Sequence, residues 1–404
     1  MTDSFEAMGL KPDLIEALKK DNITIPTGIQ QKVIPEALKG KDIIARSETG
    51  TGKTLAYLLP MFDRLNASAR EMQALVLVPT HELAIQIQRT MEFLSNNSET
   101  RLASVPIIGN VNIDRQVEKL KERPQMIVGS PGRILELIKK RKISAHTIKT
   151  IVLDEADRLM DDNNLEFVKA VIKSTLKDRQ IMAFSATMSQ QSKTRVEELM
   201  KAPEFVTSEG ETPIPGSIEH VYFLAEQRDK VEVLRKLARI LNPERAIVFV
   251  NNQGNETELS ASKLKFHGLK AESIHGTSRK LDRKKTMEDF RTGKIQLLVA
   301  SDIAARGLDI EGITHIFSLN LPEDPKDYIH RVGRTGRKGR TGVAVSIITP
   351  RELELVKKYE KVLKITMVKK FMYEGKILEG SRPPARRSPK EAGGVKKKGM
   401  PRSK

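Results

Sequence analysis

Short apolar runs closed by polar or turn-forming residues recur along the first half of the chain: Asp42-Ile43-Ile44-Ala45, Ala74-Leu75-Val76-Leu77-Val78, Met126-Ile127-Val128-Gly129, Ile151-Val152-Leu153 and Ile181-Met182-Ala183-Phe184. Such a run has no polar face, so it predicts a strand buried on both sides. The helical stretches between runs predict parallel pairing through crossovers. Between Ala202 and Gly216 the pattern breaks, with three prolines and several polar residues that read as an interdomain linker. It resumes at Ala246-Ile247-Val248-Phe249-Val250, Gln296-Leu297-Leu298-Val299-Ala300, His315-Ile316-Phe317-Ser318-Leu319 and Val343-Ala344-Val345-Ser346-Ile347-Ile348. Two α/β domains of one general type are expected, over residues 1–208 and 218–380, with a linker over 209–217 and a tail over 381–404. Thr349-Pro350-Arg351-Glu352 has the form of a capping box with Pro at the first helical position, so a helix should start there.

The chemistry gathers where the runs end, as expected for an open α/β sheet. Ser47-Glu48-Thr49-Gly50-Thr51-Gly52-Lys53-Thr54 follows the first run and opens a helical pattern at Leu55, the context of a phosphate-binding loop, although Ser47 replaces the usual first Gly. Backbone N–H groups and a helix N-terminus present partial positive charge to an anion, Lys53 adds a full one, and the Thr54 hydroxyl can ligate Mg²⁺. Asp154-Glu155-Ala156-Asp157 also ends a run. Asp154 can hold the same ion through water, and Glu155 can orient and deprotonate an attacking water. Together the two loops point to hydrolysis of a nucleoside triphosphate.

Composition narrows the partner. Seventy Lys and Arg against fifty-two Asp and Glu leave a net charge of +18 in 404 residues, which favours a polyanion. The tail holds Arg382, Arg386, Arg387, Lys390, Lys396, Lys397, Lys398, Arg402 and Lys404 against Glu391 alone, with interspersed Pro and Gly, and reads as disordered. With no Trp and five Tyr, stacking platforms are scarce and phosphate contact is the expected mode of binding. The absence of cysteine excludes disulfides, thiolate metal sites and thiol nucleophiles. No run approaches the ~18 apolar residues of a membrane span, and the N-terminus lacks signal-peptide character. A cytoplasmic protein is expected, without a membrane partner.

Read together, the strand-end motifs form an ordered set. They are Pro26-Thr27-Gly28-Ile29-Gln30, the phosphate loop, Pro79-Thr80-His81-Glu82-Leu83-Ala84, Ser130-Pro131-Gly132-Arg133, Asp154-Glu155-Ala156-Asp157 and Ser185-Ala186-Thr187. Then come Val248-Phe249-Val250-Asn251-Asn252, Ser301 through Asp309, and His330-Arg331-Val332-Gly333-Arg334-Thr335-Gly336-Arg337. This succession resembles the DEAD-box RNA helicases of helicase superfamily two, up to about residue 375. The resemblance implies two RecA-like domains, each a mostly parallel sheet flanked by helices, that clamp ATP and single-stranded RNA between them. It implies an RNA-stimulated ATPase that binds the RNA backbone without sequence preference and separates short duplexes or remodels RNA–protein complexes, with ribosomal or RNA-decay complexes as settings.

Residue by residue, the resemblance makes Gln30, with Phe5 behind it, the adenine reader, places Ile23 over the base, makes Asp309 the ribose contact, and gives Asp302, Gly307 and Arg306 to the link between nucleotide and RNA. Arg334 and Arg337, three apart after the helix start Asp324-Pro325-Lys326-Asp327, resemble arginine fingers on the γ-phosphate. Asp157, Ser185, Thr187, Asp302 and His330 resemble the groups that couple hydrolysis to closure, with His330 pairing toward Asp157. Pro79, Thr80, Gly109, Ser130, Pro131, Gly132, Arg133, Asn251, Gly276, Arg283, Ser301 and Arg306 fall in motifs that track the RNA backbone. Four positions depart from the family pattern: Ile23 for an aromatic, His81 for Arg, Asn110 for Gly and Lys280 for Gln. None belongs to the hydrolytic set, so an active enzyme with altered RNA or nucleotide affinity is expected. A DNA translocase of the same superfamily is a second reading, because 2′-OH contacts are not legible in sequence. A non-catalytic RNA clamp is a third, disfavoured by the intact Lys53, Asp154, Glu155, Arg334 and Arg337.

Overall fold

A computed structural model describes residues 4–48, 50–109, 112–207, 214–250, 255–274, 280–305, 310–337 and 340–380. The expectations for Thr49, Asn110, Asn251, Gly276, Arg306, Gly307, Asp309 and the tail from 381, and for the Lys280 side chain, lie outside the described residues.

In chain order the strands are β1 (Ile43–Arg46), β2 (Ala74–Leu77), β3 (Ser104–Ile107), β4 (Met126–Gly129), β5 (Thr150–Asp154), β6 (Gln180–Ser185), β7 (Glu204–Thr207), β8 (Ile218–Leu224), β9 (Ala246–Phe249), β10 (Ala271–Ile274), β11 (Leu297–Ala300), β12 (His315–Ser318), β13 (Gly342–Ile348), β14 (Met367–Tyr373) and β15 (Lys376–Glu379). They form two sheets with orders β3-β4-β2-β5-β6-β1-β7 and β10-β11-β9-β12-β13-β8-β14-β15. All pairs are parallel except β14–β15, which is an antiparallel hairpin.

The unbroken apolar runs became central strands because helices cover both faces of each sheet. Val152 packs into one core and its neighbours Ile151 and Leu153 into another. Ala246 and Val248 likewise face one core of the second domain, with Ile247 and Phe249 facing the other. The structure adds strands where that signal is weak. β3 contains Pro106 and β10 contains Glu272, and each is an edge strand, where a missing donor or a charge is tolerated. β7 lies inside the stretch read as a linker and pairs with β1, so the break begins after Thr207. The capping box at Thr349 forms, opening a 3₁₀ turn that continues into the helix Leu353–Leu363.

Candidate active site

Between β1 and the helix Lys53–Arg64 the chain must reverse within a few residues, and Gly50 and Gly52 do so at φ of 82° and 87°. At φ 87° any side chain on Gly52 would be strained, and its Cβ, 2.5 Å from Gln30 Nε2, would displace that amide. The Ser47 and Thr51 hydroxyls lie 2.7 Å apart, and Thr51 donates to the Glu48 carbonyl at 2.9 Å. Lys53 reaches back beneath the loop, donating to the carbonyls of Ser47 (2.6 Å) and Glu48 (2.9 Å). Burial draws its pKa down against the opposing charges of Asp154, Glu155, Asp157 and Glu48. Burial also raises Glu48, with Lys53 opposing.

Asp154 ends β5 beside this loop. Its carboxylate accepts from Tyr57 Oη (2.9 Å) and from the Glu155 backbone N–H (2.9 Å). Burial pushes its pKa up to about 6, with Lys53 pulling the other way. Glu155 stands in the left-handed region at φ 51°, turning the chain into the short helix Ala156–Leu159. Its Oε2 is buried and has no hydrogen-bond partner among the described residues. Asp157 accepts from Ser185 Oγ (2.6 Å) and from the Thr187 hydroxyl, which anchors the end of β6 to the acidic loop. Burial alone would raise Asp157, but nearby His330 together with Ser185 and Thr187 holds it well below the usual carboxylate range.

The second domain meets these groups through the helix Pro325–Val332, started by Pro325 at its first position and by Asp324, which accepts from the Lys326 N–H at 2.9 Å. His330 Nε2 lies 3.9 Å from Asp157 Oδ2, too long for a hydrogen bond and therefore an electrostatic contact. One turn earlier, Asp327 Oδ1 accepts from Arg158 Nη2 at 2.7 Å, a bridge between the domains. Arg331 is fully buried, bidentate to Asp302 at 2.6 and 2.7 Å and bonded to the Asn320 carbonyl. Arg334 and Arg337 lie beyond the helix end at Val332, so the turn, and not helical spacing, aims them. That turn needs Gly336 at φ 67°, where a Cβ would meet Ile218 Cγ1 at 2.7 Å. Arg337 Cγ sits 3.5 Å from where a Cβ on Gly50 would stand, so this turn closes directly over the phosphate-type loop. Lys53, Thr54, Arg334 and Arg337 share a cleft of about 730 Å³ between the domains.

The same cleft is lined by the apolar side chains of Leu18, Ile23, Leu55 and Phe93 and by Arg245 and Arg340. Ile23 thus lines the cleft that also holds Lys53 and Thr54. Gln30 is buried, accepting from the Thr27 N–H (2.9 Å) and donating to the Gly52 carbonyl (3.1 Å), and so caps its helix while tying it to the loop. Phe5 is buried in the same core as Ile29 and Val33 of that helix.

The sheet order separates a second group. β3, β4 and β2 are neighbours, so Gly109, Ser130–Arg133 and Pro79–Thr80 emerge side by side at one end of the first sheet. β10, β11 and β9 do the same for the second, placing Ser301 there. Thr80 caps the helix His81–Asn97, and Ser130 precedes Pro131–Lys139. Arg133 pairs with Glu136 at 3.2 Å. Arg283 bonds the Ala304 carbonyl and bridges the domains to Glu82 at 2.7 Å. Sequence reasoning passed over Tyr57, Arg158 and Glu82. The available signal was helical spacing, since Tyr57 lies four residues after Lys53 and Arg158 three after Glu155.

A Gly-Lys-Thr loop after β1, two acidic side chains at the end of β5 with β6 between, and arginines delivered from a second α/β domain define a two-domain P-loop NTPase. Residues 27–196 match the DEAD/DEAH box helicase family and residues 229–339 the helicase conserved C-terminal domain. The DEAD-box ATP-dependent RNA helicase CshC of Bacillus cereus is 41% identical over 96% of this chain and 98% of its own length. The probable ATP-dependent RNA helicase YfmL of Bacillus subtilis is 41% identical over 87% of this chain and 92% of its own. Among solved structures, S. cerevisiae Dbp5 bound to RNA and ADP BeF3 superposes with a TM-score of 0.82 at 29% identity, covering 91% of this chain and 95% of that one. The chain belongs to the DEAD-box ATP-dependent RNA helicases. Among the described residues, no helix is long and apolar enough to cross a membrane.

Proposed function

We propose that ATP binds with its phosphates on the Ser47–Thr54 loop and its base against Ile23 and Gln30, and that hydrolysis proceeds when the second domain brings Arg334 and Arg337 over the γ-phosphate. The observation that carries this reading is Glu155 Oε2 beside Asp154, buried and without a hydrogen bond among the described residues, with Arg158 Nε no nearer than 3.9 Å. Glu155 takes the proton from that water, while Lys53 and the two arginines stabilise charge on the transferring phosphoryl group. Asp154 and the Thr54 hydroxyl, a carboxylate and a hydroxyl of the hard oxygen type magnesium takes, are the groups that would hold the ion together with water and nucleotide oxygens. When bound, the ion neutralises phosphate charge. Asp157, Ser185, Thr187 and His330 tie the acidic loop to closure, and Asp302 anchors Arg331 within the second domain.

Single-stranded RNA would run along the aligned ends of β3, β4, β2 and β10, β11, β9, touching backbone and not bases. Closing on one strand and bending it separates short duplexes, and phosphate loss releases it. The domains take the bounds 1–208 and 218–380, the basic tail adds affinity without sequence preference, and the setting is cytoplasmic, on ribosomal or RNA-decay complexes. Glu155→Gln should keep ATP and RNA binding while lowering turnover by about 10² to 10⁴. Parental turnover of this variant at saturating RNA would reject the assignment.

A further inference from the structure

We propose that Arg158 is a positioning residue that holds the Glu155 carboxylate in an ion pair while the domains are apart, and that Asp327 of the second domain draws it off on closure. This rests on the reading of Glu155 as the base. Arg158 and Glu155 share one helical turn, with the Arg158 N–H bonded to the Glu155 carbonyl at 2.9 Å. Their side chains are therefore neighbours at i and i+3, the spacing at which ion pairs form on a helix. Arg158 Nε stands 3.9 Å from Glu155 Oε2, and both atoms are buried with no hydrogen bond among the described residues. The guanidinium instead spends Nη2 on Asp327 at 2.7 Å.

A guanidinium is a rigid fork, and with Nη2 on one oxygen of Asp327 its Nε stops 3.9 Å from Glu155 Oε2, beyond hydrogen-bond range. Asp327 and Glu155 thus compete for one cation. Other nearby acids are engaged elsewhere or only at longer range: Asp162 pairs with Arg195 at 2.9 Å, Asp302 is held by Arg331, and Asp161 feels the charges of Lys326 and Arg158. When Asp327 leaves with the second domain, Glu155 is the carboxylate within reach. Pairing there occupies the oxygens that must accept the water's proton. Closure then does two things through one helix, since Asp327 and His330 stand three residues apart on it and engage Arg158 and Asp157 in turn. A first domain without its partner would keep its base paired.

The test is steady-state ATP hydrolysis by the full chain with saturating polyuridylate and without RNA. Asp327→Asn should lower kcat about tenfold, the scale of one charge-assisted hydrogen bond. Adding Arg158→Gln to it should restore kcat to within about twofold of the parent, and Arg158→Gln alone should raise both RNA-free turnover and the polyuridylate concentration for half-saturation. A plain latch predicts instead that both single variants slow turnover and the double variant is no faster, which would overturn the inference, as would a parental kcat in Asp327→Asn. Glu155→Gln separates the two levels. Parental turnover in that variant removes the base itself, whereas slow turnover there combined with an unaffected Asp327→Asn removes only the role of Arg158.

Discussion

Counted from its own first strand, each domain arranges its first six strands in the same order, third-fourth-second-fifth-sixth-first, yet the two differ where the first strand hands over to a helix. In the first domain that junction is Ser47–Thr54, and the helix opens on Lys53. In the second it is Ala225-Glu226-Gln227-Arg228-Asp229, and the helix opens on Lys230. Lys230 is buried and Lys53 partly so, and both reach carbonyl oxygens. Lys230 also has a carboxylate of its own, bonding Glu352 Oε2 at 2.7 Å and the Leu319 carbonyl at 2.7 Å, which neutralises it as a structural pin. Among the described residues Lys53 bonds two loop carbonyls and no carboxylate, so no bonded counterion stands between it and an anion. Duplicated architecture has thus been divided: the first domain holds the loop and the acids, the second offers cations from a turn, and neither half is complete.

The strongest way to break that division is to remove the second domain's contribution. Arg337→Ala or Arg334→Ala should lower RNA-stimulated turnover by about 10³ to 10⁵, the range for arginine fingers, with little change in ATP binding measured by equilibrium titration. Near-parental turnover in both would mean that the first domain completes the site alone.

Acid should separate the domains in stability. Burial lowers the His220 pKa to about 4 from its ordinary 6.5, against a small opposing pull from Glu219. Between these values the unfolded chain binds a proton that the folded domain refuses. Stability present above pH 6.5 is therefore lost as pH falls toward 4, by about 2 kcal/mol between pH 7 and pH 5. Asp154 has the opposite sign: with its pKa raised to about 6, the nucleotide-free first domain gains as pH falls below that value. Amide hydrogen exchange at pH 7 and pH 5, corrected for intrinsic rates, should show β8, β9, β12 and β13 losing protection relative to β1, β2, β5 and β6. Equal losses in both sheets would contradict this.

The smallest effect sharpens the shared cleft. Ile23→Phe should tighten ATP by about 1 kcal/mol, the low end of base–aromatic stacking, provided a ring fits between Leu18 and Phe93. Unchanged or weaker affinity by calorimetry would mean that Ile23 does not cover the base.

Much of this was legible in the chain itself. The apolar runs at β1, β2, β5, β6, β9 and β11–β13 declare strands because burial on both faces leaves no polar position to confuse the period. The phosphate loop and acidic loop declare themselves because glycine conformations, a lysine and a metal-binding hydroxyl must be contiguous to act. Edge strands such as β3, β7 and β10 escaped, since one unpaired side tolerates Pro106, Glu204 and Glu272.

What the sequence by itself determined is which residues have the chemistry and on which strand ends they sit. Only the tertiary structure decided which of them meet. Strand order puts the ends of β3, β4 and β2 together, although their residues are scattered from Thr80 to Arg133. Domain apposition puts Arg337 against Gly50, Asp327 on Arg158 and Glu82 on Arg283. Such contacts leave no trace in local periodicity, because a salt bridge across 169 residues between Arg158 and Asp327 is specified by two surfaces and not by the spacing of either sequence.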